Sequence, residues 1–242
     1  MYFSNFPKIV YDFDLTSGVD YKVVTDITRN VRLRKQILEN ISLYDYYDIA
    51  EGETPEIISE KVYGTPYYHW VIMLVNQRYD YVNDFPLTQL ELDTHIDKKY
   101  GDKKYHIHDY KVDGFIKEGI NIITLRESAL SGGGIGEFVE GKVLVSVTNG
   151  YEARIDAIVT PSDNVTVQIE VSLRQGEFIP NETVTVLGEN TFAEVVTRTI
   201  PAQYTTTSNY DYEFNLNESK RRIKIVDPAL VEQLVKEFKD II

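Results

Sequence analysis

The spacing of apolar residues changes character three times along the chain, and each change marks a boundary between kinds of structure. Residues 1–50 show no clean period but carry clustered rings, Tyr2, Phe3, Phe6, Tyr11 and Phe13, then Tyr44, Tyr46 and Tyr47. Pro7 and Gly18 interrupt the first cluster, so this arm is expected to be extended and to dock, on its own domain or on a partner. From 46 to 101 helical punctuation takes over. Tyr46-Tyr47-Asp48-Ile49 reads as a short strand. Thr54 and Pro55 supply an N-cap and a proline at the first helical position, Ile57, Ile58 and Val62 share a face, and Gly64 stops the helix. Thr65-Pro66 repeats the device for a second helix with Trp70, Val71, Leu74 and Val75 inward. Thr88 and Glu91 have capping-box spacing for a third, continued by Leu92, Ile96 and Tyr100 to Gly101.

Between 119 and 204 the period becomes two, in Val143–Val147, Val165–Ile169 and Thr183–Val186. A weak repeat accompanies it: Gly136-Glu137-Phe138 returns as Gly176-Glu177-Phe178, and Ala153 with Ile155 as Ala193 with Val195. Each copy reads as a strand pair around a polar turn, Thr148-Asn149-Gly150 or Gly188-Glu189-Asn190, which predicts a small β-barrel or sandwich. Its opening, Ser131-Gly132-Gly133-Gly134, reads as a flexible turn. Beyond 205, Asp227-Pro228 caps a final helix whose apolar face is Leu230, Val231, Leu234, Val235, Phe238 and Ile241. The fold class is therefore α+β, with a β domain (119–204) inserted between an arm-plus-helical unit (1–118) and a strand and helix (205–242) that complete it.

Composition narrows the chemistry. Acidic residues number 38 against 25 basic, for a net charge of −13, which argues against a phosphate backbone and an anionic membrane surface. With no Cys, thiolate catalysis, disulfides and Cys-ligated zinc are excluded. No apolar run reaches membrane-spanning length and Met1-Tyr2-Phe3-Ser4 opens no signal peptide, so a soluble protein made in the cytoplasm is expected. Eighteen Tyr against one Trp leave two readings open, interface rings or strand and core filler. The basic clusters, Arg29, Arg32, Arg34 and Lys35, then Lys220, Arg221 and Arg222, are either partner-facing or solvated surface.

No catalytic constellation emerges. His106-Ile107-His108-Asp109 places two imidazoles near one strand face, but no second pair stands at metal spacing; the plainer reading is surface histidines. No GxSxG elbow occurs, and the run Ser131–Gly136 lacks the lysine of a phosphate loop. Acidic pairs such as Glu51/Glu53 and Asp93/Asp97 arise by chance among this many carboxylates. Neither an enzyme, a metal nor a cofactor is expected.

Two resemblances carry function. Tyr46–Gly64 followed by Trp70–Asn76 resembles a LysM module, with Gly52-Glu53-Thr54 in its turn, Tyr63-Gly64 ending its first helix and Asn76 its second. LysM modules bind N-acetylglucosamine polymers through loops beside those helices, which implies a glycan-binding alternative; a cell-wall hydrolase is a weaker one. The family's closing strand is not evident after Asn76. The wider pattern resembles the baseplate wedge subunit numbered fifty-three of T-even contractile-tailed phages. It comprises Tyr2-Phe3-Ser4-Asn5-Phe6-Pro7, Thr25–Arg29, the LysM-like core, Asn83–Leu87 and Leu216–Pro228. That resemblance implies a virion protein of the tail baseplate, present in several copies in a six-fold assembly. It would join adjacent wedges around the hub and contact other wedge, hub and sheath-initiating proteins, with no nucleic acid and no membrane. Tyr2, Phe3, Phe6, Tyr11, Phe13, Arg29, Arg32, Arg34, Lys220, Arg221 and Arg222 are the partner-binding candidates.

Overall fold

A computed structural model describes residues 6–13, 18, 20–28, 44–128, 134–160 and 165–241. It divides into two compact units, 1–93 with 214–242, and 94–213.

In the first unit β1 (Lys8–Asp12) and β2 (Tyr21–Thr25) form an antiparallel hairpin, with Lys8 opposite Thr25 and Asp12 opposite Tyr21. The described part of the arm, Lys8–Asp12, is thus extended. After β3 (Tyr44–Asp48), Thr54 caps α1 (Pro55–Tyr63) by accepting the Ile57 N–H at 3.4 Å, and Gly64 ends it at φ +69. The second device works differently from expectation. Thr65 and Pro66 open a single 3-10 turn, Pro66–Tyr68, and α2 (His69–Val75) begins only after it. The Pro66 carbonyl takes the His69 N–H in an i→i+3 bond, so the tighter turn precedes the α-helix.

α2 buries Trp70, Val71, Ile72, Leu74 and Val75, more than one face, because apolar clusters lie on two sides of it. One cluster joins Phe6, Trp70, Leu74 and Val226 with Val231 and Phe238; the other joins Ile49, Ile58, Ile72 and Phe85 with Ile223 and Ile225. Val231 and Phe238 come from the C-terminal helix, Val231–Ile241, whose apolar stripe was legible in the sequence; the Trp70 and Phe238 ring centroids are 4.6 Å apart. The Asp227 turn precedes that helix, with Asp227 Oδ1 accepting from Ala229 N at 2.8 Å. The strand that pairs with β3 is Arg222–Val226, antiparallel, with Arg222 opposite Asp48 and Val226 opposite Tyr44. A strand–helix–helix–strand unit is therefore closed by residues near the end of the chain.

Two further helices lead out of this unit and back. α3 (Gln89–Tyr100) opens on the expected capping box: Thr88 donates to Glu91 and Glu91 N returns to Thr88 Oγ1. α4 (Asn209–Ser219) was not expected. Its apolar periodicity is weak, but Ser208 and Asp211 form a reciprocal cap at 2.7 and 3.0 Å.

The second unit is mainly β. β4 (Ile107–Val112) and β5 (Phe115–Lys117) are joined by an Asp113-Gly114 turn with both residues at positive φ, the two-residue hairpin geometry. Six strands then close into a barrel: β6 (Gly119–Glu127), β7 (Val143–Ser146), β8 (Glu152–Thr160), β9 (Thr166–Leu173), β10 (Thr183–Val186) and β11 (Phe192–Thr199), in the order β10-β11-β6-β9-β8-β7. β12 (Thr205–Ser208) pairs with β4 outside it, and β13 is the closing strand Arg222–Val226 of the first unit.

The repeat seen in the sequence is a repeat of hydrogen bonds. Leu144 opposite Ala153 in one hairpin becomes Val184 opposite Ala193 in the other. The bond Gly141 N to Ile155 O recurs as Asn181 N to Val195 O, both 2.8 Å. The copies pair with each other through β7 and β10, where Val145 faces Thr185 and the register is unchanged by exchanging them. Even the irregularity repeats, between Ile155 and Ala157 and between Val195 and Thr197. β6 and β9 belong to the same duplication, since Leu125 faces Val195 as Val171 faces Ile155. The barrel is two three-stranded units about a local two-fold axis, with Phe138 and its counterpart Phe178 both buried in the core.

The copies diverge at their Gly-Glu-Phe turns. Gly176 sits at φ +85, donates to Ile107 O at 2.8 Å and accepts from Tyr110 Oη at 2.8 Å; a Cβ there would meet the Tyr151 ring. Gly136 meets nothing. Tyr110 is fully buried against Gly119, where a Cβ would strike its ring, and burial pushes its hydroxyl up to about 12. Gly119→Ala should therefore cost about 1–3 kcal/mol by overpacking. Gly136→Ala should change stability by less than about 0.5 kcal/mol. Denaturant unfolding of the two variants checks the pair, and equal effects would mean that Tyr110 does not depend on Gly119.

Candidate interaction surfaces

A two-stranded hairpin with open faces is marginal in water, so the β1–β2 hairpin needs something to cover it. Its base is fixed: Phe6 is buried in the Trp70 cluster, and Asp26 N donates to Pro7 O at 2.8 Å. Phe6 is thereby a core residue, which removes it from the set of surface rings. One face carries Val10, Val23 and Tyr21, which are 66%, 67% and 65% exposed. The other carries Ile9, Tyr11 and Phe13, all exposed, with the Tyr11 and Phe13 rings edge to face at 5.1 Å and the Lys22 ammonium 5.1 Å above Phe13. Sequence reading named Tyr11 and Phe13 but not the valines, because a β-branched residue in a strand is ordinarily core. The candidates Tyr2, Phe3, Arg29, Arg32 and Arg34 lie outside the described residues.

The loop after β3 is held rigidly. Gly52 turns at φ +78, and the buried Glu53 carboxylate pairs with Lys61 while accepting from Ala50 N at 2.8 Å and Tyr47 Oη at 2.9 Å. Burial alone would push this carboxyl up, but the bonds from Lys61, Ala50 N–H and Tyr47 outweigh it and hold the group below its ordinary 4.5. Tyr63 donates to Val226 O at 3.1 Å, and burial raises its hydroxyl well above the usual range. Asn76 pairs with the Lys224 backbone like a strand residue, donating to its carbonyl at 2.7 Å and accepting its N–H at 2.8 Å. Gly52, Glu53, Thr54, Tyr63, Gly64 and Asn76 thus all have work within the fold.

Beside this loop runs a groove of about 240 Å³, bounded by Gly52–Pro55 on one side and Tyr81, Val82 and Phe85–Thr88 on the other. A turn closed by Asp84, which accepts from Tyr79 N and Asp80 N at 2.8 Å, and by Asp80, which accepts from Val82 N at 2.9 Å, holds Tyr79, Tyr81 and Val82 out to solvent. Sequence reading missed this display; the signal was the Asp80/Asp84 spacing.

The second basic cluster is largely spent internally. Lys220 Nζ donates to Asn83 O at 2.8 Å, and Arg221 to Glu218 at 2.7 Å and Ile49 O at 3.2 Å. Arg222 alone is exposed, its guanidinium 4.8 Å above the Tyr46 ring. The histidines are dispersed among ordinary partners: His106 Nδ1 lies 3.0 Å from Tyr151 Oη, and the His108 ring stacks on Tyr212 at 3.7 Å. Among the described residues no group of three metal-ligating side chains converges.

Because its carboxyl is depressed in the fold, Glu53 contributes stability above its unfolded value, lost as pH falls through the folded one. Glu53→Gln should cost about 1–3 kcal/mol at neutral pH. The gap to the parent should close in acid, as urea titrations across pH would measure; a gap independent of pH would assign the cost to packing.

Among the described residues the hairpin and the Tyr79–Val82 turn display exposed apolar and aromatic side chains. No curated protein matches the chain. Residues 1–111, which include the hairpin, the Glu53 loop and α1 to α3, match the family model of base plate wedge protein 53. Over that segment the chain is similar to a structural component of phage baseplates.

Proposed function

We propose that this chain is a structural baseplate wedge subunit of a contractile phage tail, which joins adjacent wedges around the hub through protein–protein contacts. The match of residues 1–111 to base plate wedge protein 53 carries this reading, and it supports a place in the virion. The hairpin supplies a means. Covering Val10, Val23 and Tyr21 would gain about 1.5–3 kcal/mol each against a partner's apolar surface. Arg222, stacked on Tyr46, offers an orienting charge at a second point. In this reading the strand–helix–helix–strand unit is a LysM-like scaffold whose former ligand loops now brace the fold, and the barrel is an insertion with contacts of its own. Several copies in a six-fold ring, meeting hub and sheath-initiating proteins, follow from the wedge role.

Replacing Val10 and Val23 together by Glu should leave the thermal midpoint nearly unchanged, since both are solvent-exposed. The same variant should fail to enter baseplates in a complementation assay. Normal incorporation would sink the hairpin's role, and unfolding would return it to the core.

The groove beside Gly52–Thr54 favours a second reading, a LysM-type glycan-binding module. At about 240 Å³ it is smaller than most ligand pockets. Titration with chitin oligomers or peptidoglycan fragments should show no saturable binding; micromolar affinity would put this reading first.

A further inference from the structure

We propose that the buried carboxyl of Glu182 is a proton-operated latch, which tightens the Tyr110 end of the barrel as the medium turns acid. The latch is independent of the wedge reading, since Glu182 lies outside residues 1–111.

The duplication brings out what is unusual at this residue. Glu182 and Lys142 occupy the same backbone position. The carbonyl of each accepts at 2.9 Å, from Val195 N and Ile155 N, and the amide of each donates to the carbonyl three residues back, Ile179 at 3.2 Å and Val139 at 3.3 Å. At the Lys142 end the side chains form an ordinary surface cluster, with the ammonium 3.1 Å from Glu137 and 3.3 Å from Glu189. At the Tyr110 end the same places are filled differently. Glu182 replaces the lysine, Asn149 stands where the related turn has Glu189, and Glu177, the counterpart of Glu137, pairs with Arg198 instead. A carboxylate has taken a cation's place, and among the described residues no Lys or Arg pairs with it. Glu182 is only 5% exposed, and its carboxylate accepts from Ile179 N at 2.9 Å and Asn149 Nδ2 at 3.3 Å.

The neighbouring charges do not compensate for this burial. His106, at the end of the 3-10 turn Gly101–Tyr105, favours the carboxylate when its imidazole is charged, and Glu177 opposes it. The Tyr151 phenol is neutral, with Oη 3.0 Å from His106 Nδ1; the Lys103 ammonium is engaged by Asn149 O at 2.7 Å, and Arg198 by Glu177. Burial outweighs the two hydrogen bonds and holds the Glu182 carboxyl above its ordinary 4.5. A buried carboxylate without a counter-charge is costly, and proton uptake removes that cost. Asn149 suits both states, because an amide donates to the carboxylate and, turned over, accepts from the carboxylic acid. A lysine there would hold only the charged form. The folded chain therefore binds this proton more tightly than the unfolded chain. The stability it contributes is complete below the ordinary carboxyl value and lost as pH rises through the folded one, the reverse of Glu53. Acid firms the barrel while it loosens the Glu53 loop of the other unit.

Glu182→Gln, which keeps the shape of the side chain without its charge, tests the latch in the full-length protein. Hydrogen exchange in the strands Thr183–Val186 and Phe192–Thr199 is read by mass spectrometry against the parent at the same pH, so that intrinsic exchange rates cancel. At neutral pH the variant should exchange about three- to tenfold more slowly, and at about pH 4 the two should coincide. Lys142→Gln, at the related surface position, should alter exchange by less than about twofold at either pH. In carbon-detected NMR the Glu182 carboxyl signal, identified by its loss in the glutamine variant, should titrate above those of exposed glutamates. Unchanged or faster exchange of Glu182→Gln at neutral pH would overturn the proposal, as would a titration at or below the exposed glutamates. Slower exchange that persists undiminished in acid would also overturn it, by assigning the effect to packing.

Discussion

The antiparallel pairing of β3 with β13 is the constraint on which the rest of the chain depends. It joins Tyr44–Asp48 to Arg222–Val226 across most of the sequence, and both apolar clusters of the first unit draw residues from the returning strand. Side chains reinforce the join from the helices: Asn76 hydrogen-bonds the Lys224 backbone and Tyr63 the Val226 carbonyl. Such a long closure is tolerable because loop entropy grows slowly, by about 0.6 kcal/mol for each doubling of length. The departure and return points are themselves tied. Asn217 accepts Leu87 N at 2.8 Å and donates to Leu87 O at 3.1 Å, while Arg78 donates to Lys220 O at 2.6 Å. What lies between can change in length with little effect on the frame.

How much of this was legible follows from where each signal is local. Thr54 with Pro55 and Gly64, or Thr88 with Glu91, encode a cap through contacts a few residues apart, and each stands as read. The β repeat was legible for its hairpins, where both copies keep one spacing, and illegible for β6 and β9. The connection from β6 to β7 is longer than that from β9 to β10, so the third strand drops out of a fixed-period search. α4 hid because an irregular apolar pattern replaces a stripe. The candidate surfaces were the least legible part. Val10 and Val23 have the composition of core strand, and only their exposure separates them from Val24, which is half-buried in the same strand as Val23. Lys220 and Arg221 failed in the opposite sense: their charge suggested a free surface, whereas nearby carbonyls and Glu218 engage it.

Exposed apolar strands are a hazard that natural sheets usually blunt with charge, shortness or cover. This chain keeps its hairpin short and places Lys8, Asp12 and Lys22 among the valines and rings, while a large negative charge holds copies apart. Those devices limit association without removing the apolar area, the compromise that the proposed wedge role would require. The Tyr79–Val82 turn follows the same logic: its backbone donors are satisfied by Asp80 and Asp84, so its shape does not wait on a partner.

Duplication explains how a barrel arises inside such a frame, and its asymmetries explain how it is attached. A closed barrel built from two equal halves offers two equivalent ends. At one of them the repeat is broken to admit Tyr110: Gly119 stands where the other half has Val165, and Asn121 where it has Val167, by the register that matches Leu125 with Val171. Glycine leaves room for the ring and Asn121 donates to its hydroxyl at 3.3 Å, while Gly176 accepts from it at 2.8 Å. Val165 in place of Gly119 would exclude the ring, so only one end can be plugged this way. Tyr110 belongs to β4, which also pairs with β5 and β12, so this buried side chain, together with Ile107 beside it, ties the outer sheet to the barrel. The symmetric positions make the core, and the broken ones decide where it is held.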